Sequence, residues 1–127
     1  MFLTVDIDDK RPIYQQIVDG VKALIARGDL QQNMGLPSVR QVARDLGVNL
    51  NTVAAAYRQL QDEGYLAVRH GAGAVVAVRP HQGEREGPRR ELQPVLTELV
   101  LSGLSDREIV AIVKTELASL RRQGGRQ

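Results

Sequence analysis

The sequence predicts a mostly α-helical fold with one small β-hairpin, and three observations support this prediction. Apolar residues recur at spacings of three and four in several separate segments, which is the pattern of amphipathic helices. Capping residues or glycine stand at the ends of these segments. Two short β-prone runs, residues 65–69 and 74–79, enclose the sequence HGAG, which suits a tight connection.

The first helix is predicted to begin at Pro12 and to end near Gly28. Proline is tolerated in a first helical turn because its missing N–H would have no partner there. Residues 2–7 alternate weakly and are expected to be extended. The predicted buried stripe of the helix consists of Ile13, Tyr14, Ile17, Val21, Leu24 and Ile25.

Two further helices are predicted from their caps. Ser38 can cap one helix, and Gln41 stands where it would close a capping box. Asn49 can cap the next, which should stop by Gly64. Their buried stripes are expected to be Val39, Val42, Ala43 and Leu46 in the first, and Val53, Ala56, Tyr57 and Leu60 in the second.

The C-terminal third predicts two more helices after a polar segment. Residues 81–90 contain no apolar side chain, so we expect a linker at 80–90. One helix should cover about 91–102, with Pro94 starting or kinking it. Ser105 and Glu108 form a capping box for the other, with Leu104 and Ile109 as a hydrophobic staple. Its stripe is Ile109, Ile112, Val113, Leu117 and Leu120.

Ala43, Gly47 and Val53 have the spacing of a helix-turn-helix. Two helices that cross closely need a small residue at the crossing, a turn residue tolerant of left-handed φ, and a branched apolar residue returning from the second helix. An ordinary helical hairpin is the alternative interpretation. The following β-hairpin favours a winged helix-turn-helix, a unit whose second motif helix enters the DNA major groove.

Composition excludes several classes of protein. The chain of 127 residues is 43% apolar and has no cysteine, so disulfides and thiolate metal sites are absent. Neither an export signal nor a membrane span is evident, which predicts a soluble cytoplasmic protein. The net charge of +2 is weak support for nucleic-acid binding. Residues 46–61 and 64–80, however, contain no acid and include Arg58, Arg69, His70 and Arg79.

Residues 11–77 resemble the N-terminal domain of the GntR family of bacterial transcription regulators. The matching elements are IYQQI, LPSVRQVARDLGV, NTV, AYRQLQDEGYL and HGAG. The short remainder is similar to the YtrA subgroup, and this resemblance implies that the last two helices are dimerisation helices of a dimeric regulator, usually a repressor. Three departures stand out: QNMG replaces a loop that usually begins Pro-Gly, Leu50 replaces a frequent proline, and Ala55 replaces a frequent basic residue.

These interpretations divide the chain and assign its DNA contacts. Residues 1–79 are predicted to form the DNA-binding domain, 80–90 the linker and 91–123 the dimerisation element. Asn51 and Thr52 are the expected base-reading residues, because the start of the second motif helix meets base edges. The remaining predicted contacts are Arg40, Asn49, Arg58, Arg69, His70 and Gly71. Asn49 is also explained as a cap alone, and Arg58 as a solvated charge.

The expected function is sequence-specific, homodimeric repression at a two-fold symmetric operator in double-stranded DNA. Two alternatives stay open: a winged-helix adaptor that binds proteins without DNA, and a DNA-binding fragment of a larger regulator. We expect no enzyme activity, since HGAG lies in a hairpin and no catalytic constellation is evident. No cofactor or metal is expected, because His70 and His81 lack companion ligands. The residues identify no small-molecule effector.

Overall fold

The computed structural model describes residues 3–69, 73–77 and 86–121. Within them the chain forms five helices and one two-stranded antiparallel sheet. The elements are α1 (Ile13–Arg27), α2 (Val39–Leu46), α3 (Leu50–Asp62), β1 (Leu66–Arg69), β2 (Gly73–Val76), α4 (Glu86–Leu101) and α5 (Asp106–Leu120). The predicted fold class, mostly α with a small hairpin, is confirmed.

One apolar core joins the first three helices to the hairpin. Helix α3 packs against α1, α2 and β1. The prediction for the inner face of α3 is confirmed in full, since Val53, Ala56, Tyr57 and Leu60 are all buried. In α1, by contrast, Tyr14 was wrongly placed inside: it is 38% exposed, and Val18 is fully buried. The core therefore surrounds α3, and one α3 flank is left to solvent.

The turn between α2 and α3 has the conformation that the residue spacing predicts. Gly47 ends α2 in the left-handed region with φ 69°, and the N–H of Val48 donates to the carbonyl of Ala43 at 3.0 Å. Glycine is favoured at this φ because it has no Cβ. Ala43 and Val53 are both buried on either side of the turn. The helix-turn-helix is therefore confirmed.

The cap of α2 is only half of the predicted capping box. The Ser38 hydroxyl accepts from the N–H of Gln41 at 3.1 Å. The Gln41 side chain, however, bonds to Asp45 at 2.9 Å and to Arg44 at 3.1 Å. These exposed partners on the next helical turn replace the backbone N–H of Ser38, so the second bond of the box was wrongly predicted.

The N-terminal segment is fixed to α1 by Gln16 and Gly20. Gln16 is buried; its Oε1 accepts from the N–H of Asp6 at 2.8 Å, and its Nε2 donates to the Asp6 carbonyl at 3.0 Å. Leu3 packs so closely on Gly20 that a Cβ there would lie 2.7 Å from the Leu3 Cδ2. Residues before the first helix thus contribute to the core.

The loop that precedes α2 pairs with the free edge of β2. Gly35 pairs with Val75 of β2 in an isolated antiparallel bridge. Around it, the N–H of Asn33 donates to the Val76 carbonyl at 2.9 Å, and the N–H of Val76 donates to the Met34 carbonyl at 2.8 Å. Asn33 has φ 71°, a left-handed conformation that glycine also adopts freely. The unusual QNMG loop therefore forms the outer side of the sheet.

The two C-terminal helices leave most of their apolar side chains exposed. Helix α4 begins at Glu86, earlier than the predicted 91, because Pro88 falls in a first turn that needs no proline N–H. Pro94 lies inside this helix. Ser105 and Glu108 form the predicted capping box of α5 in full. Only Ile109 of α5 is buried, and α5 contacts α1.

Candidate nucleic-acid interface

The N-terminal end of α3 is fixed by its own cap. The Asn49 Oδ1 accepts from the N–H of Asn51 at 2.7 Å, and the Asn49 carbonyl accepts from the N–H of Thr52 at 3.1 Å. These bonds satisfy donors that a helix start leaves without partners. The predicted cap is confirmed, and the Nδ2 group of Asn49 remains available to an external acceptor.

A shallow groove lies beside this helix end. Asn51 is exposed and Thr52 is half-buried, and both line the groove together with Ala55. The opposite wall comes from the start of α1, where Pro12, Ile13 and Tyr14 stand. The structure thus brings Asn49, Asn51 and Thr52 together on one surface. Ala55 adds only a methyl group and no charge to this surface.

Tyr14 is a residue of this surface that the helical spacing failed to identify. Its position at the start of α1 fits the apolar stripe, so periodicity alone assigned it to the core. Its phenolic group instead lies at the groove wall opposite Asn51 and Thr52. An amphipathic side chain at the edge of a stripe is the signal that could have indicated such a place.

Tyr57 fixes the spacing between α3 and the start of α2. Its hydroxyl donates to the Pro37 carbonyl at 2.6 Å, across 20 residues of sequence. Burial raises the pKa of this hydroxyl to about 12, so it stays protonated and keeps donating at neutral pH. Arg40 lies three residues after Pro37, so the bond fixes the start of the segment that carries Arg40.

Three predicted contact residues, Arg40, Arg58 and Arg69, carry exposed positive charge. Arg40 lies in the first turn of α2, Arg58 lies seven residues after Asn51 on the same face of α3, and Arg69 ends β1. None of the three forms an ion pair with a carboxylate in residues 3–69, 73–77 or 86–121. Their guanidinium groups can therefore meet an anion without first breaking an ion pair.

Glu63 is engaged away from these arginines. Glu63, at the end of the helix, pairs with Lys22 of α1 at 2.7 Å. Lys22 also stands 5.3 Å from the centre of the Tyr65 ring. This cluster joins α1 to the C-terminal end of α3, at the other end of the helix from Asn51. The groove end of α3 is left without a nearby negative side chain on its own helix.

Two predicted contacts, His70 and Gly71, lie outside the described residues. Arg69 is the last described residue before them, and its Nη2 donates to the Asn33 Oδ1 at 3.1 Å. No sequence pattern indicates this partner, because Asn33 belongs to a loop far away along the chain.

Neither a metal centre nor a membrane helix is found in the described residues. No group of three or more His, Asp or Glu side chains there is arranged to hold a metal ion. Likewise, none of the helices described above is long and apolar enough to cross a membrane. The exposed face of α3, its flanking arginines and the hairpin are the features on which function can be argued.

Comparison with known proteins places this surface within a large family. The model of bacterial regulatory proteins of the gntR family matches residues 13–76. The HTH-type transcriptional repressor YtrA of Bacillus subtilis is 30% identical over 99 residues, which cover 78% of this chain and 76% of that protein. Other relatives are much longer: the chain spans 16% of the probable rhizopine catabolism regulatory protein MocR of Rhizobium meliloti, at 41% identity over 78 residues.

Two solved structures are similar over most of the chain. YtrA from Sulfolobus acidocaldarius has a TM-score of 0.62 and 35% identity, covering 80% of this chain and 99% of its own. A transcriptional antiterminator from Listeria monocytogenes EGD-e has a TM-score of 0.85 and 27% identity, covering 94% of this chain and 92% of its own. The latter similarity extends well beyond the winged helix.

Proposed function

The chain belongs to the gntR family of bacterial regulatory proteins, and from this premise we propose that it is a homodimeric repressor acting on a two-fold symmetric DNA operator. It is a YtrA-like, DNA-binding transcription regulator. The observation that carries the proposal is the exposed start of α3, whose Asn51 and Thr52 are free to meet base edges.

Base reading is assigned to Asn51 and Thr52. The Asn51 side chain can make two hydrogen bonds to adenine, and the methyl of Thr52 can touch the methyl of thymine. The small side chain of Ala55 lets α3 lie deep in the major groove. Asn49, already occupied as a cap, contributes a backbone-phosphate contact through its remaining N–H groups.

Phosphate binding is assigned to the residues that surround this helix. Arg40 and Arg58 contact phosphates on either side of the groove. The β1–β2 hairpin is the wing, and its residues Arg69, His70 and Gly71 contact the neighbouring DNA backbone. Such contacts position the protein without reading sequence. The absence of ion pairs at the three arginines within the described residues supports the assignment.

The dimer is assigned to α4 and α5. Nine large apolar side chains on these helices are at least one-third exposed. Exposed apolar surface of this extent is typical of a protein-interaction site. The nine are Leu92, Val95, Val100, Leu101, Val110, Ile112, Val113, Leu117 and Leu120. A second copy would cover them and set the two α3 helices about 34 Å apart, one turn of DNA.

The proposal also implies a place and a role. Operator DNA is cytoplasmic in bacteria, so the protein acts in the cytoplasm. Binding to DNA by shape and hydrogen bonds needs no chemistry on a substrate, and we therefore assign no enzymatic activity.

Sequencing the DNA fragments crosslinked to the protein in its own cells tests this function. We expect an inverted repeat whose half-sites lie about 10 base pairs apart, or a multiple of that distance. A shared motif without two-fold symmetry would contradict the dimer arrangement. No enrichment, together with no gel shift at low salt, would favour the protein-binding adaptor.

A further inference from the structure

Arg69 at the end of the wing is held by a residue from a distant loop. Its Nη2 donates to the Asn33 Oδ1 at 3.1 Å, between residues 36 positions apart in sequence. Both side chains are at the surface, so this bond is not a by-product of core packing. The bond restrains the side chain of the last residue of β1.

The backbone of Asn33 is itself fixed to the sheet. Its N–H donates to the Val76 carbonyl at 2.9 Å, and Gly35 pairs with Val75 two residues later. With φ 71°, Asn33 is the only non-glycine residue of the described part of the chain with a positive φ. Asparagine tolerates this region better than most residues, yet it still costs free energy. Uncommon backbone conformations of this kind concentrate at functional positions.

Fixing the guanidinium in advance favours anion binding because a free arginine side chain loses rotamer entropy when a ligand immobilises it. The bond to Asn33 uses one N–H of a group that has five, so the others remain for phosphate oxygens. Asn33 is neutral, and it therefore orients Arg69 without cancelling its charge.

We propose that Asn33 is a positioning residue for DNA binding, which holds the Arg69 guanidinium in the orientation that contacts the DNA backbone. The inference rests on the proposed function for the contact between Arg69 and DNA. What it adds is that a side chain outside the helix-turn-helix and outside the hairpin sets the affinity of the wing.

The test compares Asn33→Gly in two backgrounds, the natural chain and Arg69→Ala. Glycine adopts the left-handed φ without strain and removes the side chain that bonds to Arg69. The probe is a double-stranded DNA of about 30 base pairs and arbitrary sequence, which is long enough to contact both winged helices of a dimer. Binding is followed by fluorescence anisotropy. We expect Asn33→Gly to weaken binding about threefold in the natural chain, as for one lost hydrogen bond. With Arg69 replaced, the same change should have an effect of less than about 1.5-fold.

A matched control comes from the same loop. Gln32 carries the same kind of amide, is exposed, and makes no side-chain hydrogen bond with a described residue. Gln32→Ala should leave affinity unchanged. Arg69→Ala alone should lower the salt dependence of binding by about one phosphate contact per protomer.

The outcomes separate this inference from the proposed function. An equal loss in both backgrounds, or no loss in the natural chain, overturns the positioning role of Asn33 and leaves DNA binding intact. If Arg69→Ala changes neither affinity nor salt dependence, the wing contact itself is wrong, and positioning with it. A natural chain that binds no duplex at low salt refutes the proposed function.

Discussion

Apolar side chains are buried in the winged-helix unit, formed by α1, α2, α3 and the hairpin, and are largely exposed on the C-terminal helices α4 and α5. In the unit, Val53 and Leu60 of α3 are fully buried. On the C-terminal helices, Leu101 is 75% exposed and Leu117 is 44% exposed. Both regions have amphipathic helices, and each includes a helix capped by a side chain, α3 in one and α5 in the other. Periodicity therefore identifies an apolar face, and only the tertiary structure shows whether the chain itself covers that face.

The largest effect is expected from the core of the winged-helix unit. Leu60→Ala should lower the free energy of unfolding by about 3 kcal/mol, because a fully buried leucine leaves a cavity. Urea unfolding followed by circular dichroism measures this. The control is Val68→Ala, at an exposed position of β1, where a change within about 0.5 kcal/mol is expected. Equal losses at both sites would mean that the unit is not the stable core of the chain.

Substitutions on the C-terminal helices should instead change the oligomeric state. Val113→Asp combined with Leu117→Asp is expected to convert the proposed dimer to a monomer, because charge is placed on the face proposed to pair. Operator affinity should fall about a hundredfold with the loss of bivalent binding. Sedimentation velocity and anisotropy measure the two effects. Thr115→Asp, on the opposite side of α5, should leave the dimer intact; dissociation by this variant would reject the assigned face.

A smaller effect is expected at the end of α3 that is proposed to read bases. Asn51→Ala with Thr52→Ala should weaken operator binding about tenfold, while binding to random DNA is nearly unchanged. Anisotropy with the two duplexes gives the ratio. Gln61→Ala, exposed at the other end of the helix, serves as the control. Equal losses on operator and random DNA would reduce Asn51 and Thr52 to backbone contacts.

The smallest effect concerns the capping box of α5. The N–H of Ser105 and then its hydroxyl hold the pKa of the Glu108 carboxyl below its ordinary 4.5. A lowered folded pKa stabilises the fold above pH 4.5, and this contribution disappears as the pH falls through the lowered value. Glu108→Gln should therefore lower the melting temperature slightly at pH 7, and this difference should shrink as the pH falls below 4.5. A difference that stays constant as the solution is acidified would contradict an ionic origin.

Local features of this fold were predictable from the sequence. Asn49 caps α3 and Gly47 turns the chain because each residue type has a conformational preference that neighbours along the chain do not override. The inner face of α3 followed from spacing alone, since this helix is surrounded by the core. The start of the candidate site was predictable for the same reason.

Features that depend on distant residues were not predictable. Gln16 is buried because its amide finds partners in a segment ten residues away. The hydrogen bond from Arg69 to Asn33 joins the end of β1 to a surface loop, and the bridge between Gly35 and Val75 pairs that loop with β2. No periodicity records such pairings, because each one is a property of the folded chain.

The bridge at Gly35 also affects how the free protein behaves at high concentration. An exposed strand edge is a template on which another chain can add a strand and begin aggregation. Here β2 is paired on both sides, with β1 on one side and the loop on the other. Only the four-residue β1 keeps an open edge within the described residues, and it ends in a charged arginine. The hairpin therefore offers neighbouring chains only this short edge for pairing.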